Sequence, residues 1–411
     1  MKNIYTKLNK GGLSMVRKTC LLLMLFFVIT PLMQVRAAEM TQEDKDDLNA
    51  IVAFFRSVNL GFYVDSSYQY VFDKPEGADI SDGSRPLYPE NNSFSLNAFT
   101  VSLEKTPTLE GGNMDLFGFR ADILFGQMAD NIASAGLGDT SDDIDIYQGY
   151  MDVLIPFGNN GIDIKVGKFV TLAGYEVIEA KGDPNITRSW LFGNAIPFTH
   201  TGVRASTNLS GFDLTLGLNN GWDNTKDNNK SKTVEAQIAY SYAGDTVTDS
   251  WLGVTGYFGK EDDANDSFRK LVTIVGTMTL MEKVTLTGDA DFGWENNNAD
   301  IGGDNAFWWG FAGYVVVDLH PAVSLALRGE YFDDSDGVRL GTPVAVTEFT
   351  PTLILKPFKG LIAGNRYMDN MELRLEYRWD HADEDYFVKD GGEAKQNQHG
   401  VMAQVLYWID L

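Results

Sequence analysis

Charged residues spaced two apart recur along this chain of 411 residues. Arg120 precedes Asp122, Asp289 precedes Asp291, Arg328 precedes Glu330, and Glu372, Arg374, Glu376 and Arg378 form a longer run. Arg204 holds the same parity in its own segment. Residues two apart on an extended strand point to one face. Such a face has no nucleophile with its base. Its chemistry is that of a polar wall, where opposed signs orient water and exclude apolar solutes. The four histidines, His200, His320, His381 and His399, show no metal-ligand or helical spacing among themselves. His200 shares the parity of Arg204, so it belongs to the same wall. The acidic clusters at 139–145, 261–266 and 333–337 lack the fixed ligand positions of an EF-hand loop, and read as solvated loop acid. A lipase-like or protease-like reading needs a nucleophile, a base and an orienting group converging on one rim. The sparse histidines argue against it. The sequence therefore calls for no enzyme, no cofactor and no metal.

The elements that would position this wall are strands. Sixteen alternating segments run near 59–71, 92–105, 114–126, 143–157, 161–171, 198–207, 211–219, 231–243, 248–259, 269–281, 283–295, 305–318, 322–333, 344–358, 367–380 and 398–411. Links after even-numbered segments are mostly tight, such as Gly244-Asp245 and His320-Pro321. Links after odd-numbered segments are long and polar. In 211–219, Phe212, Leu214, Leu216 and Leu218 oppose Asp213, Thr215 and Asn219. Burying the apolar face in a soluble sandwich leaves too many charges on the other face. A transmembrane antiparallel β-barrel, apolar outside and wet inside, accommodates both. It also closes the sheet edges that lipid cannot satisfy. About sixteen strands are expected, with short periplasmic turns and long external loops; fourteen and eighteen stay open. Trp251, Trp294, Trp308, Trp309, Trp379 and Trp408 fall near strand ends and are expected in interfacial girdles.

Residues 1–37 read as a signal peptide: a basic start, an apolar run from Cys20, and Val35-Arg36-Ala37 as a cleavage-like site. The only cysteine lies there, so the rest of the chain holds no thiolate site or disulfide. Residues 38–58 read as a short helix, either at the periplasmic rim or as a plug in the pore, with Leu48, Ile51, Val52 and Phe55 on one face. Residues 59–411 form the barrel. Beyond residue 37 the chain carries 27 basic residues against all 57 acids, a net −30. That excludes nucleic acid as a partner, which needs clustered Lys and Arg.

The stretch Asp143–Ala205 carries Tyr147-Gln148-Gly149-Tyr150, Ile155-Pro156-Phe157-Gly158, Val166-Gly167-Lys168-Phe169, Gly174-Tyr175-Glu176, Asn185-Ile186-Thr187-Arg188-Ser189 and Pro197-Phe198-Thr199-His200-Thr201-Gly202-Val203-Arg204. In that order these pieces resemble the OmpL-like β-barrel porin-2 family of bacterial outer membranes. The resemblance implies an outer-membrane porin of a Gram-negative bacterium and carries over no substrate; the inward strand charges predict a passive diffusion channel for small hydrophilic solutes and ions. A surface adhesin or ligand-binding barrel with little conductance is the alternative. The implied partners are outer-membrane lipid and lipopolysaccharide, the assembly machinery, which would read the terminal strand, and permeating solutes, with a homotrimer left open. Arg120, Asp122, Arg204, Asp289, Asp291, Arg328, Glu330, Glu372, Arg374, Glu376 and Arg378 are the expected pore lining. In general porins a long loop near this point narrows the barrel. Here the loop 172–197 offers Glu176, Glu179, Lys181, Asp183 and Arg188 as a constriction set; a solvated external loop is the equal alternative. The eight expected external loops together carry −16. Such an acidic crown predicts a weak cation preference.

Overall fold

The computed structural model describes residues 49, 51–72, 74, 80, 82–137, 143–261, 267–360 and 367–411. The first eight strands are β1 (Asn59–Val71), β2 (Ser93–Lys105), β3 (Phe117–Phe125), β4 (Ile144–Ile155), β5 (Ile162–Val170), β6 (Thr199–Leu209), β7 (Phe212–Asn219) and β8 (Thr233–Tyr242). The chain continues through β9 (Val247–Gly259), β10 (Phe268–Leu280), β11 (Val284–Asn298), β12 (Asp304–His320), β13 (Val323–Asp334), β14 (Val344–Leu355) and β15 (Met371–Ala382). A small hairpin of β16 (Phe387–Val388) and β17 (Ala394–Lys395) precedes β18 (Asn397–Asp410). Apart from that hairpin, the strands pair antiparallel with their sequence neighbours. The ring closes where β18 pairs with β1, Gly61 opposite Asp410 and Val71 opposite Gly400. The result is the closed barrel of sixteen antiparallel strands that the alternation required.

Side-chain parity sorts the wall into two faces. Met151, Leu216, Leu252, Leu375 and Val405 point outward and are exposed. A charge in their place near the midplane would cost roughly 2–4 kcal/mol in lipid. Exposed aromatics cluster at both ends of this outer surface. Phe94, Phe307, Phe311 and Phe349 lie toward the long loops, and Phe117, Phe157, Phe212 and Tyr242 toward the short turns. Of the six tryptophans expected in these girdles, Trp294, Trp309 and Trp379 point outward. The other three do not. Trp308 is fully buried inside and donates to the Ala195 carbonyl. Trp408 lies opposite inward-facing Tyr63 and packs on the core. Trp251 shares the inward parity of Thr255. Proximity to a strand end says nothing about face; a one-residue change in parity decides it.

Near the short-turn rim, residues 51–56 are helical. The Phe54 ring stacks on outward-facing Phe119 at 6.2 Å, and the Lys105 ammonium lies 5.4 Å from its centroid. The described end of the expected 38–58 helix therefore lies against the outside of the rim, not in the lumen as a plug. Its start at residues 38–48, and the signal segment 1–37, lie outside the described residues.

The core of this molecule is inside the barrel. The segment between β5 and β6, residues 171–198, turns inward and packs Ile178, Ile186, Trp190, Leu191, Phe192 and Ile196 as a buried cluster. Gly174, at φ +72°, makes the turn, and a side chain there would meet Ile196. Trp308 lies across Gly293, where even a Cβ would fall 2.0 Å from the indole.

Candidate functional site

A loop buried in a barrel brings backbone amides and carbonyls with no strand to satisfy them. The inward charges of β13 and β15 supply the partners. Glu376 accepts from the Ile186 and Thr187 amides at 2.6 and 3.0 Å, and from the Thr187 hydroxyl at 2.6 Å. Glu330 accepts from the Trp190 and Leu191 amides at 2.8 and 2.7 Å. Arginines answer on the carbonyl side. Arg374 donates to the Ala180 and Asp183 carbonyls, Arg378 to that of Arg188, and Arg328 to that of Thr187. Hydrogen bonds to charged groups contribute about 1.5–3 kcal/mol each, so this set holds the loop firmly.

The loop's own charges serve the same purpose. Glu176 pairs with Arg328 at 2.7 Å, while Glu348 holds that guanidinium from the other side at 2.8 Å. Arg188 pairs with Asp183 at 3.0 Å and donates to the Val177, Ile178 and Ile186 carbonyls. It clips the loop to itself. At the loop's exit, Asp223 accepts from the Phe198 and Thr199 amides at 3.0 and 2.8 Å. Burial pushes its carboxyl up to about 6, against the pull of those amides.

All eleven residues expected to line the pore face inward, but they divide. Asp289, Asp291, Arg328, Glu330, Arg374, Glu376 and Arg378 are buried, and all but Asp291 bond to the folded loop or to a neighbour. Asp289 accepts from the Tyr175 amide at 2.9 Å. Glu372, buried as well, is held by Arg374 and Lys356. For these eight, the expectation of open lining is corrected. A residue can point inward and still be covered, because the loop fills the lumen beside them. His200 is also inward and sealed, stacked on Tyr257 at 4.6 Å. The other three sit on the opposite wall, where Asp122 is fully buried and is corrected as well, Arg204 keeps only 7% of its side-chain surface, and Arg120 keeps 26%. Of the loop set, Glu176, Asp183 and Arg188 are anchors. Glu179 and Lys181, paired at 2.6 Å, face that opposite wall.

Between the loop and strands β3–β6 lies a cavity of about 330 Å³. Its charged lining is Arg120, Lys165, Arg204, Lys181 and Glu179; Tyr147, Gln148, Tyr150, Phe169, Val170, Val177, Ile178 and Gly182 complete it. The Tyr147 hydroxyl donates to Glu179 at 3.0 Å and so ties the loop's near edge to β4. The sequence reading missed Lys165, Tyr147, Tyr150 and Phe169. Lys165 had a usable signal, since Asp163 and Lys165 repeat the two-residue spacing of the chosen pairs. The rings had none, because nothing in the sequence says which part of the wall the loop leaves bare.

The sequence matches the model of the family described as “Putative beta-barrel porin-2, OmpL-like” over residues 57–408. The chain belongs to this family. That makes it a barrel of the Gram-negative outer membrane, a channel rather than an enzyme. Solved porins share the fold of this porin-2 member. An anion-selective porin from Comamonas acidovorans superposes with a TM-score of 0.58 at 14% identity, covering 86% of this chain and 99% of that one. The outer membrane channel DcaP of Acinetobacter baumannii gives 0.51 at 16% identity, over 86% and 97%. OmpT of Vibrio cholerae in its trimer form gives 0.51 at 11%, over 86% and 99%. No curated protein matches the chain.

Proposed function

We propose that the protein is a passive diffusion channel for small hydrophilic solutes, and that the cavity beside β3–β6 is the narrowest part of their route. The observation that carries this reading is the loop. Residues 171–198 occupy one side of the lumen and are bonded there, while the other side keeps space and charged side chains that are partly exposed. A fixed loop that narrows a barrel without filling it suits sieving by size. An adhesin has no need of that internal architecture. The pore-facing residues in this reading are Arg120, Lys165, Arg204, Glu179 and Lys181, with Asp122 buried behind Arg120. The signal peptide at 1–37 and the rim helix at 38–58 belong to the same proposal.

Exposed acids such as Asp300, Asp336, Glu384, Asp385 and Glu393 lie in the long loops. They support a weak preference for inorganic cations at low salt, lost as the Debye length shrinks below about 10 Å. Lipid and lipopolysaccharide around the belt, and assembly machinery reading the last strand, complete the expected partners. A homotrimer is part of the proposal; the OmpT neighbour's trimer form supports it. Planar-bilayer recording of the purified barrel tests the function. Stepwise ohmic conductance is expected, with a reversal potential that favours cations at low salt. A folded barrel without conductance would return the adhesin reading.

A further inference from the structure

The cavity's charge is opposite to that of the chain. The protein is strongly acidic, yet four of the five charged groups at this narrow point are basic. The arrangement of their counterions gives this meaning. Asp122 holds the Arg120 Nε at 2.6 Å, and Glu235 holds Arg204 through Nε and a second nitrogen at 2.6 and 2.8 Å. Neither carboxylate has any exposed side-chain surface. Arg120, Lys165 and Lys181 instead keep 26, 28 and 31% of theirs. Arg120 also meets Glu104 at 3.4 Å, and Lys165 meets Asp163 and Asp152 at 3.3 and 3.8 Å, but these three acids lie outside the cavity lining. Of the acids only Glu179, paired with Lys181 at 2.6 Å, shares the lining, so the groups that border the cavity are mostly basic.

The flanks are apolar. Arg204 lies 4.1 Å over the Phe169 ring, and Lys165 lies 5.3 Å from the Tyr150 ring. Val177 and Ile178 face them from the loop. An inorganic anion uses only the charges. A carboxylate attached to a small apolar or aromatic body uses both. Resting on the channel reading above, we propose that this cavity is a docking site for small organic carboxylates, held with the carboxylate toward Arg120, Lys165 and Lys181. Charges at contact distance escape the salt screening that removes the influence of the outer loops. Cation preference at the mouth and carboxylate docking at the narrow point therefore coexist, and salt separates them.

The test adds benzoate, acetate, benzyltrimethylammonium or benzyl alcohol to the full channel in bilayers at high salt and reads the reduction in current. Benzoate should reduce it most. Acetate, which lacks the ring, should act more weakly, and the cationic and neutral probes least. Replacing Arg120, Lys165 and Lys181 together by Gln should weaken the benzoate effect at least about fivefold, the order expected from losing one such contact. Lys181→Arg should keep it. Equal reduction by benzyltrimethylammonium, or an unchanged benzoate effect in the conducting triple variant, overturns the site. Acetate matching benzoate overturns the apolar flank. Calorimetric titration of benzoate into the detergent-solubilised barrel separates this inference from the channel reading. Heat in a silent barrel keeps the site and overturns the channel; absence of heat overturns the site whatever the conductance.

Discussion

The two sides of the lumen use the same kind of residue for opposite ends. On β13 and β15, alternating acids and arginines face inward and are consumed by the backbone of the loop. On β3 and β5, Arg120 and Lys165 at the same parity face inward, and although paired with carboxylates they keep part of their surface for solute. Burial marks the difference. Arg328 has no exposed surface between Glu176 and Glu348, whereas Arg120 keeps a quarter of its own. An inward charge is thus an anchor or a filter according to whether the loop lies over it. The strand pattern that places the charge does not decide between them.

The largest expected effect comes from breaking the anchored side. Arg328→Ala leaves Glu176 and Glu348 buried without their shared partner, a loss of about 3–5 kcal/mol. The loop should leave the wall, and single-channel current should become larger and noisier. Heating before electrophoresis should convert the folded band to the unfolded one at a lower temperature. Quiet wild-type steps in this variant would show that the anchoring charges do not hold the loop. Glu376→Gln should do less. It keeps a carbonyl for one of the amides of Ile186 and Thr187, loses the charge, and costs on the order of 2 kcal/mol. Brief openings above the main conductance level, without a change in barrel stability, are the expected signature.

Much of this was legible in the sequence. The two-residue spacing in Met371–Trp379 and the switch between tight and long links give the barrel, its strand count and the inward set directly. In the structure β9 begins at Val247 where 248 was expected, and β14 ends at Leu355 rather than 358. The division of the inward set was not legible, for a physical reason. Periodicity is local to a strand, whereas Glu376 meets residues 186 and 187 across the lumen. Only the tertiary path of the loop pairs them. The same limit placed Trp308 in the lipid girdle when it caps the loop from within. Lys165, by contrast, could have been found, since its spacing from Asp163 followed the rule already in use.

A smaller effect sharpens the comparison at the loop's exit. The folded-state value of Asp223, about 6, lies above that of an unfolded aspartate, near 3.9. The folded state therefore binds more protons between these values. The group's contribution to stability is full below about pH 4 and lost as pH rises through about 6. Asp223→Asn should remove that component. It would be read as a conversion temperature whose fall from pH 4 to pH 7 is shallower by about 2 °C. An unchanged pH profile would show that Asp223 titrates as an ordinary surface acid.

Because the only cysteine lies at position 20, in the proposed signal peptide, single cysteines can probe the divided lumen most directly. Lys181→Cys places a thiol on the open side. Thr352→Cys places one under the loop, where the native hydroxyl bonds to Asn185 and Glu376. The measurement is single-channel conductance before and after a charged, water-soluble thiol reagent. The divided lumen predicts rapid reaction and a stepwise fall in current at position 181, with no change at position 352. Equal reaction at both positions, or modification of position 181 without any effect on current, would contradict it.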